Sequence, residues 1–362
     1  MITKSVAEIN KYVGSSVNPM ATPDQIYELY SVPSFESGAP EIVSGADIGS
    51  TKVIVEEGDI LICKINPRIN RVWVVHHNTE HPLLASSEWI VVRNATMNSD
   101  YLKWYFSSPS FRTLLTSQVT GIGGSLTRAQ PKQVAKYPVP IPSRDEQDYV
   151  ADILTRIDNL MHKYQQQIIG IEQLVKSRFI ELFGDYDLTH PQESWVTIKE
   201  IGTVVGGATP KTDHDEYWGG SYRWITPAEL DADSGYIYDS VRKLTKAGVE
   251  SCSLQEMPAG TVILSSRAPI GKVAIAGNTF YCNQGFKNII CKEGITPRYL
   301  YTVLLLNVEY LNSLGRGATF KEISKGIVES IRIPVPSMEL QEQFAAFVEQ
   351  TDKSKLCGKM EV

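Results

Sequence analysis

The chain has 362 residues, of which 42% are hydrophobic and 21% are charged, a composition typical of a globular protein with room for two domains. Its formal net charge of -6 argues against a generally basic nucleic-acid binder, so any DNA contact has to come from local basic clusters. The sequence has no apolar stretch of membrane-spanning length, no signal peptide and no C-x-x-C pair, which together predict a cytoplasmic protein with reduced thiols, no membrane contact and no structural metal.

Residues 1–142 predict a first α+β domain. Short β-type runs alternate with turns, for example at 60–65 and 72–75, and a helical stretch is predicted around 101–115. Pro138, Pro140 and Pro142 then alternate with apolar residues, which excludes a helix there and favours an extended segment at the edge of a domain.

The stretch from 143 to 184 predicts one long helix. Ser143 and Glu146 form a capping-box pattern at its start, and Gly184 supplies a left-handed stop at its end. Apolar residues recur in steps of three and four between these limits, which is a heptad pattern and requires a partner helix. A long core helix inside one large domain is the alternative.

Residues 185–336 repeat the α+β character, and residues 337–362 begin a second, shorter helix of the same kind. Identical residues return 194 positions apart in the two halves, at Gly121/Gly315, Gly123/Gly317, Val134/Val328, Pro140/Pro334, Pro142/Pro336, Ser143/Ser337, Gln147/Gln341, Ala151/Ala345 and Asp158/Asp352. Further upstream, the run from Gly58 to Pro67 returns as Gly260 to Pro269. An internal repeat of this kind predicts two similar structural units.

Catalytic motifs are missing from the sequence. It has no phosphate-binding G-x-x-x-x-G-K-[ST], no G-x-S-x-G and no D-x-K or E-x-K of a metal-dependent nuclease. His77–His81 matches H-x-x-E-H, but it follows a strand-like run and leads into Pro82, so a loop is expected there and not the helix that zinc binding needs. The sequence predicts no metal site and no catalytic residue.

Basic and amide side chains gather in a few places where they could contact DNA. Arginine can bond guanine bidentately and asparagine can bond adenine, whereas glycine-loop amides can hold phosphates. A solvated basic loop is the alternative reading, and Trp218 is expected to pack in the fold and not to stack on bases. The candidate DNA-binding residues are Lys64, Asn66, Arg68, Asn70, Arg71, Gly123, Ser125, Arg128, Lys211, Arg223, Ser266, Arg267, Lys272, Asn283, Gln284, Lys287, Arg316, Thr319 and Lys321.

Over nearly its whole length, the chain resembles the specificity subunit of type I restriction-modification systems. Both halves end in P-x-P-S with a glutamine downstream, and each carries its own set of motifs. The motifs are Y-E-L-Y-S-V-P-S-F (27–35) and C-K-I-N-P-R-I-N-R-V (63–72), then G-G-A-T-P (206–210), W-I-T-P (224–227), I-L-S-S-R-A-P-I-G-K-V (263–273) and N-Q-G-F (283–286).

The resemblance implies two target recognition domains, at 1–142 and 185–336, separated by long conserved helices that pack as an antiparallel coiled coil, with the distal helix shortened. Each domain would read one part of a split, asymmetric double-stranded DNA target, and the helices would set the spacing and dock two methyltransferase subunits. S-adenosylmethionine and ATP would bind the methyltransferase and restriction subunits, leaving this chain without a cofactor.

Several alternatives remain open from the sequence alone. The chain could be a specificity-like DNA-binding subunit of another defence system, or a truncated or rearranged specificity allele, because its last helix is short. A self-contained DNA-modifying enzyme and a coiled-coil scaffold without DNA function are the more distant alternatives.

Overall fold

A computed structural model describes residues 2–117, 119–120, 127–230, 235–317 and 321–360, with side chains described up to residue 353 and not at residue 120. The chain divides into two compact units, residues 1–163 and 164–362. A single helix begins in the first unit and ends in the second. The division into segments 1–142, 143–184, 185–336 and 337–362 stays a prediction.

The first unit is built from short strands and five helices. Its strands are β1 Ile2–Ser5, β2 Ser16–Val17, β3 Ile26–Tyr30, β4 Glu41–Ser44, β5 Lys52–Ile54, β6 Ile60–Cys63, β7 Val72–Val74, β8 Leu83–Ser86, β9 Trp89–Val92, β10 Val119–Thr120, β11 Arg128–Ala129 and β12 Pro138–Ile141. Its helices are α1 Val6–Ile9, α2 Ser99–Ser107, α3 Pro109–Ser117, α4 Pro131–Val134 and α5 Arg144–Phe183, the last of which continues into the second unit.

Four sheets organise these strands, with orders β2-β5-β8-β3-β4, β7-β6-β9, β1-β12 and β10-β11. Only the β3–β8 pair is parallel within the described part of this unit. Strand β6 is fully buried and its side chains alternate between two cores. Ile60 and Ile62 pack with helices α2 and α3, whereas Leu61 and Cys63 pack with the aromatic residues of the opposite face.

The second unit repeats this design. Its strands are β13 Val196–Thr197, β14 Gly202–Gly206, β15 Trp218–Ile225, β16 Tyr236–Ile237, β17 Arg242–Leu244, β18 Val262–Leu264, β19 Val273–Ala276, β20 Tyr281–Cys282, β21 Lys287–Cys291 and β22 Arg332–Ile333. Its further helices are α6 Ile198–Ile201, α7 Lys246–Glu250, α8 Pro297–Leu306, α9 Val308–Ser313, α10 Lys325–Ser330 and α11 Met338–Met360.

The central buried strand pairs with two neighbouring strands in the same way in both units. Strand β6 lies between β7 and β9, and β18 lies between β19 and β21. Like β6, β18 divides its side chains between two cores, with Val262 and Leu264 on one side and Ile263 on the other. The internal repeat of the sequence therefore corresponds to a repeated structure.

Helix α5 begins and ends where the sequence predicts. The Ser143 backbone and hydroxyl both donate to Glu146 Oε2 at 2.9 Å, and Gly184 has a φ of 90°. In the first unit Ala151 is buried, but Ile157 and Met161 are 47% and 52% exposed. The helix is therefore not the core helix of one large domain.

Within the second unit the end of α5 packs antiparallel against α11. The rings of Phe179 and Phe183 lie 5.3 and 5.6 Å from that of Phe344, near the start of α11. One turn on, the guanidinium of Arg178 lies 5.8 Å from the ring of Phe347. Helix α11 has 23 residues and α5 has 40. The predicted fold class, two similar α+β units with long helices that pack antiparallel, is confirmed.

The helical stretch predicted around 101–115 differs in detail, because the structure has two helices there. Helix α2 stops at Ser107, and Ser108 is extended, with φ -64° and ψ 151°. Pro109 opens α3, where its missing N–H costs nothing, and Ser108 Oγ accepts a hydrogen bond from the Phe111 N–H at 3.2 Å. None of the helices in the described ranges is both long and apolar enough to cross a membrane.

Candidate nucleic-acid interface

A tight loop follows the central strand of the first unit and carries most of its candidate residues. Asn66 and Asn70 have positive φ values of 47° and 54°, a conformation that asparagine tolerates better than most residues. The Asn66 N–H donates to the Thr127 carbonyl at 2.9 Å, and Asn70 Nδ2 donates to the Phe106 carbonyl at 2.9 Å. The loop is held by its backbone and by one amide, and Asn70 Oδ1 is buried with no hydrogen-bond partner in the structure.

The cations of this loop differ in how they are held. Arg71 is mostly buried and pairs with Glu36 at 2.9 Å, and Arg128 pairs with Glu88 at 3.3 Å. Lys64 Nζ donates to the Ser87 carbonyl. Arg68 is exposed and has no ion pair within the described residues.

Three segments of the second unit come together at the matching place. The Ser266 N–H donates to the Gly285 carbonyl at 2.8 Å, and Lys287 Nζ lies 3.4 Å from the Ser266 hydroxyl. Thr209 Oγ1 donates to Gln284 Oε1 at 2.5 Å, and Asn283 Oδ1 accepts from the Gly285 N–H at 2.9 Å. The motifs around 206–210, 265–267 and 283–287 therefore meet at one polar surface, where Arg267 and Gln284 are exposed and Ser266 is fully buried.

Glycine at position 207 allows this close approach. A Cβ added there would collide with the carbonyl oxygen of Cys282, beside which the chain runs. Any other residue would push the 206–210 segment away from the strand end that carries Asn283 and Gln284.

Four candidate cations of the second unit also bond to carboxylates or carbonyls. Arg267 and Lys287 both pair with Glu322, at 3.0 and 3.2 Å. Arg223 pairs with Asp239 at 3.2 Å. Lys272 Nζ donates to the carbonyls of Pro227 and Leu230 at 3.2 and 3.1 Å, so its ammonium ties two segments of the fold together.

Lys211 is exposed beside a tryptophan that packs as the sequence predicts. The Trp218 indole N–H donates to the Lys211 carbonyl at 3.2 Å, and its ring meets that of Trp224 at 5.1 Å. The guanidinium of Arg242 lies 3.4 Å from the centroid of the Trp218 ring. Trp218 is therefore a packing residue.

The two glycine loops, residues 121–125 and 315–319, fall largely outside the described residues, and the structure describes the segments beside them. Arg316 and Glu322 exchange backbone hydrogen bonds at 3.1 and 3.0 Å, and Arg316 and Lys321 are exposed. Gly123, Ser125 and Thr319 lie outside the described residues. Their assignment to phosphates, like the DNA role of every candidate residue, stays a prediction.

The same set of main-chain contacts, called the backbone joint below, holds the candidate surface in both units. Ile65 and Arg128 form an isolated β-bridge in the first unit, and Arg267 and Glu322 form one in the second. The hydrogen bonds beside the bridges also correspond, with the Ala129 N–H donating to the carbonyl of residue 64 and the Ile323 N–H to that of residue 266, both at 2.9 Å. The two surfaces therefore share a backbone and differ in side chains.

The H-x-x-E-H segment at 77–81 lies in a loop between β7 and β8, as expected. The buried carboxylate of Glu28 orders this loop by accepting hydrogen bonds from Asn78 Nδ2 at 2.5 Å and from the Thr79 N–H at 3.1 Å. Among the residues that the structure describes, no group of three or more His, Cys, Asp or Glu side chains could hold a metal ion.

Sequence reasoning missed the acidic partners of the basic clusters. Glu36, Glu88 and Glu322 each pair with a candidate arginine that is distant in sequence. Glu36 pairs with Arg71 across 35 residues, and Glu322 pairs with Arg267 across 55. Burial acts to raise the pKa of Glu322, and hydrogen bonds from Lys287 and Arg267 outweigh it, so that the pKa is lowered. The carboxylate is ionised at neutral pH.

Residues 193–357 match the family model described as the type I restriction modification DNA specificity domain. This match lies within the second unit, and it makes the chain similar to type I restriction-modification specificity subunits.

Named relatives agree with this match. The MjaIX specificity subunit of Methanocaldococcus jannaschii is 43% identical over 185 residues, which is 49% of this chain and 43% of that protein. The EcoR124I/EcoR124II specificity subunit of Escherichia coli is 25% identical over 230 residues, 59% of this chain and 55% of that protein. The chain thus spans about half the length of these two relatives.

A solved structure supports the fold over the whole chain. The type I restriction-modification S subunit from M. genitalium superposes with a TM-score of 0.61 at 12% identity, covering 99% of this chain and 91% of that one. At this identity the likeness concerns the fold alone.

Proposed function

We propose that this chain is the DNA sequence-recognition subunit of a type I restriction-modification complex. Each unit reads one part of a bipartite, asymmetric target in double-stranded DNA. The chain itself is non-catalytic. Methyl transfer and DNA cleavage belong to methyltransferase and restriction subunits, which bring S-adenosylmethionine and ATP.

One observation carries the proposal: the two units present different side chains on the same backbone joint. Lys64, Ile65 and Asn66 in the first unit correspond to Ser266, Arg267 and Ala268 in the second, and both segments receive the same hydrogen bond from the chain behind them. Base edges are read by side chains, whereas a shared backbone fixes position. A repeated frame with exchanged side chains is what two readers of different sequences need.

The long helices give the proposal its geometry. The 40 residues of α5 span roughly 60 Å at 1.5 Å per residue, more than the 34 to 36 Å of one DNA turn. Apolar side chains such as Ile157 and Met161 remain exposed on α5 in the first unit. This apolar face is where a methyltransferase subunit would dock, and a pair of such subunits would match the two units.

Methylation-sensitive sequencing of a host that expresses this chain with its methyltransferase tests the proposal. We expect one methylated motif made of two short half-sites separated by a fixed gap of unread base pairs. Arg68→Ala should relax the base preference of one half-site and Arg267→Ala that of the other. Arg156→Ala, which removes an exposed arginine of α5, is the matched control and should leave the motif unchanged.

Two results would contradict the proposal: the absence of any bipartite methylated motif, or relaxation of the same base pairs by both variants. The alternative, a specificity-like subunit of another defence system, differs in its partner. Purification of the tagged chain from its native host should recover a methyltransferase subunit, and recovery of a different enzyme without one would favour the alternative.

A further inference from the structure

The two units carry opposite charges at one equivalent position. Arg128 pairs with residue 120 at the base of the first glycine loop and bridges Ile65. Glu322 pairs with Arg316 at the base of the second glycine loop and bridges Arg267. One backbone site therefore holds a guanidinium in the first unit and a carboxylate in the second.

Glu322 organises the basic side chains around it. Its Oε2 accepts from Arg267 Nε at 3.0 Å, and its Oε1 accepts from Lys287 Nζ at 3.2 Å. The Glu322 side chain is 36% exposed, that of Lys287 15% and that of Arg267 48%. The carboxylate thus binds one mostly buried cation and one that reaches the surface.

This arrangement has a cost and a benefit for binding DNA. A carboxylate on a surface that approaches phosphates weakens attraction to any DNA, regardless of its sequence. In return, the ion pair restrains the Arg267 side chain before DNA binds. Less side-chain conformational entropy is then lost on binding. Because the bond uses Nε, Glu322 leaves the two terminal nitrogens of Arg267 for the two-pronged contact that guanine accepts through O6 and N7.

The equivalent position of the first unit carries no carboxylate, because Arg128 occupies it. The partner of Arg128, Glu88, comes from the segment before β9. Ile65, which takes the place of Arg267, has no charge to restrain. The carboxylate at 322 is therefore a feature of the second surface and not of the shared frame.

We propose that Glu322 is a specificity-determining residue of the second unit, which positions Arg267 for a bidentate contact with guanine and keeps Arg267 and Lys287 from binding phosphates indiscriminately. Glu322 acts through Arg267 and is a positioning residue. The inference rests on the proposed function, because it concerns how one of the two half-sites is read.

The test uses the full chain purified together with its methyltransferase. The probes are a duplex with the bipartite motif found by methylation sequencing, duplexes with each base pair of the second half-site replaced, and a duplex with neither half-site. For Glu322→Gln we expect discrimination at one G·C pair of the second half-site to fall about tenfold or more. Binding to the duplex without half-sites should tighten, and its dependence on salt should steepen by about one or two ions.

Two further variants separate positioning from folding. Glu250→Gln removes the same charge from an exposed i,i+4 pair on α7 and should behave like wild type in every assay. Arg267→Lys keeps the positive charge and leaves Glu322 in place, but it removes the planar guanidinium that can bond guanine with two nitrogens. It should therefore lose discrimination at the same G·C pair. Preference at the first half-site should be unchanged in all variants.

The outcomes distinguish the inference from the proposed function. If the Glu322→Gln variant keeps every base preference of the second half-site, the inference is overturned and the proposed function stands. If Glu322→Gln does not fold, the same result for Arg267→Lys overturns the inference. If the wild-type complex itself reads no bipartite site, the proposed function fails first.

Discussion

Gln147 and Gln341 occupy the same position in the two units and make the same hydrogen bonds. The side-chain oxygen of Gln147 accepts from the Asn98 N–H at 3.0 Å, and that of Gln341 accepts from the Thr296 N–H at 2.8 Å. Each amide nitrogen donates to the carbonyl of the proline five residues earlier, at 3.0 and 2.9 Å. Both glutamines are buried and tie the start of a long helix to the start of the helix beneath it.

Gln341→Ala should lower the free energy of unfolding by about 1–3 kcal/mol, because it leaves the Thr296 N–H buried without a partner. Urea denaturation followed by circular dichroism measures the change. Gln343→Ala, at an exposed position of the same helix, is the matched control and should change stability by less than about 0.5 kcal/mol. Equal stabilities of the two variants would show that the hydrogen bonds of Gln341 add nothing.

Phe344→Ala should destabilise the second unit by about 3–5 kcal/mol, the usual cost of emptying a large aromatic site in a core. Phe344 is fully buried against Phe179 and Phe183, so the loss also removes contacts between α11 and α5. Phe344→Leu should cost less, since it leaves a smaller cavity. Thermal and urea unfolding of both variants check the ranking, and equal losses would contradict it.

Cys282 and Cys291 should resist alkylation in the folded chain. Burial raises the pKa of both thiols to about 12, so almost no thiolate exists at pH 8, although only Cys282 is fully buried and Cys291, like Cys252, is partly exposed. Iodoacetamide at pH 8 followed by peptide mass spectrometry should label Cys252 and spare the other two until urea unfolds the chain. Rapid labelling of Cys282 in the folded state would contradict this.

The same thiols predict weaker stability in alkali. Their folded pKa lies above that of the unfolded chain, which is near 9, so the stability they contribute is present below pH 9. It is lost as the pH rises from about 9 towards 12, because only the unfolded chain can ionise. Cys282→Ala should reduce this pH dependence, as urea midpoints at pH 8 and pH 10.5 would measure.

The exposed apolar face of α5 should contribute to binding of the methyltransferase subunit and not to the stability of the fold. The double variant Ile157→Gln with Met161→Gln should change the free energy of unfolding by less than about 0.5 kcal/mol per site, because both side chains are half-exposed. It should weaken association with the methyltransferase subunit about tenfold or more, as light scattering or titration of the purified subunits would show. Asn159→Ala, at an exposed polar position between them, is the control. Unchanged association of the double variant would exclude this face as the docking site.

Local signals sufficed for the long helix and for the repeat. The limits of α5 follow from the Ser143 capping box and from Gly184, both of which act within one turn of the chain. The break after Ser107 was harder to predict, because the apolar pattern continues across it and only Pro109 marks the new start.

The candidate surface was less predictable from sequence, because its residues meet only in the folded unit. Thr209 reaches Gln284 across 75 positions, and Glu322 reaches Arg267 across 55. Composition shows that a segment is basic, but not that an acid from elsewhere neutralises it. Lys272 illustrates the same limit, since its ammonium bonds carbonyls of a distant segment.

The joint behind the two polar surfaces is made entirely of main-chain atoms, from the Ala129 N–H to the carbonyl of residue 64 and from the Ile323 N–H to that of residue 266. Replacing the side chains at its ends leaves those atoms untouched. Under the proposed function, single substitutions at these ends can therefore change which base pairs are read while the main-chain hydrogen bonds remain. The residues that would set target preference are then separate from the atoms that hold each segment in place.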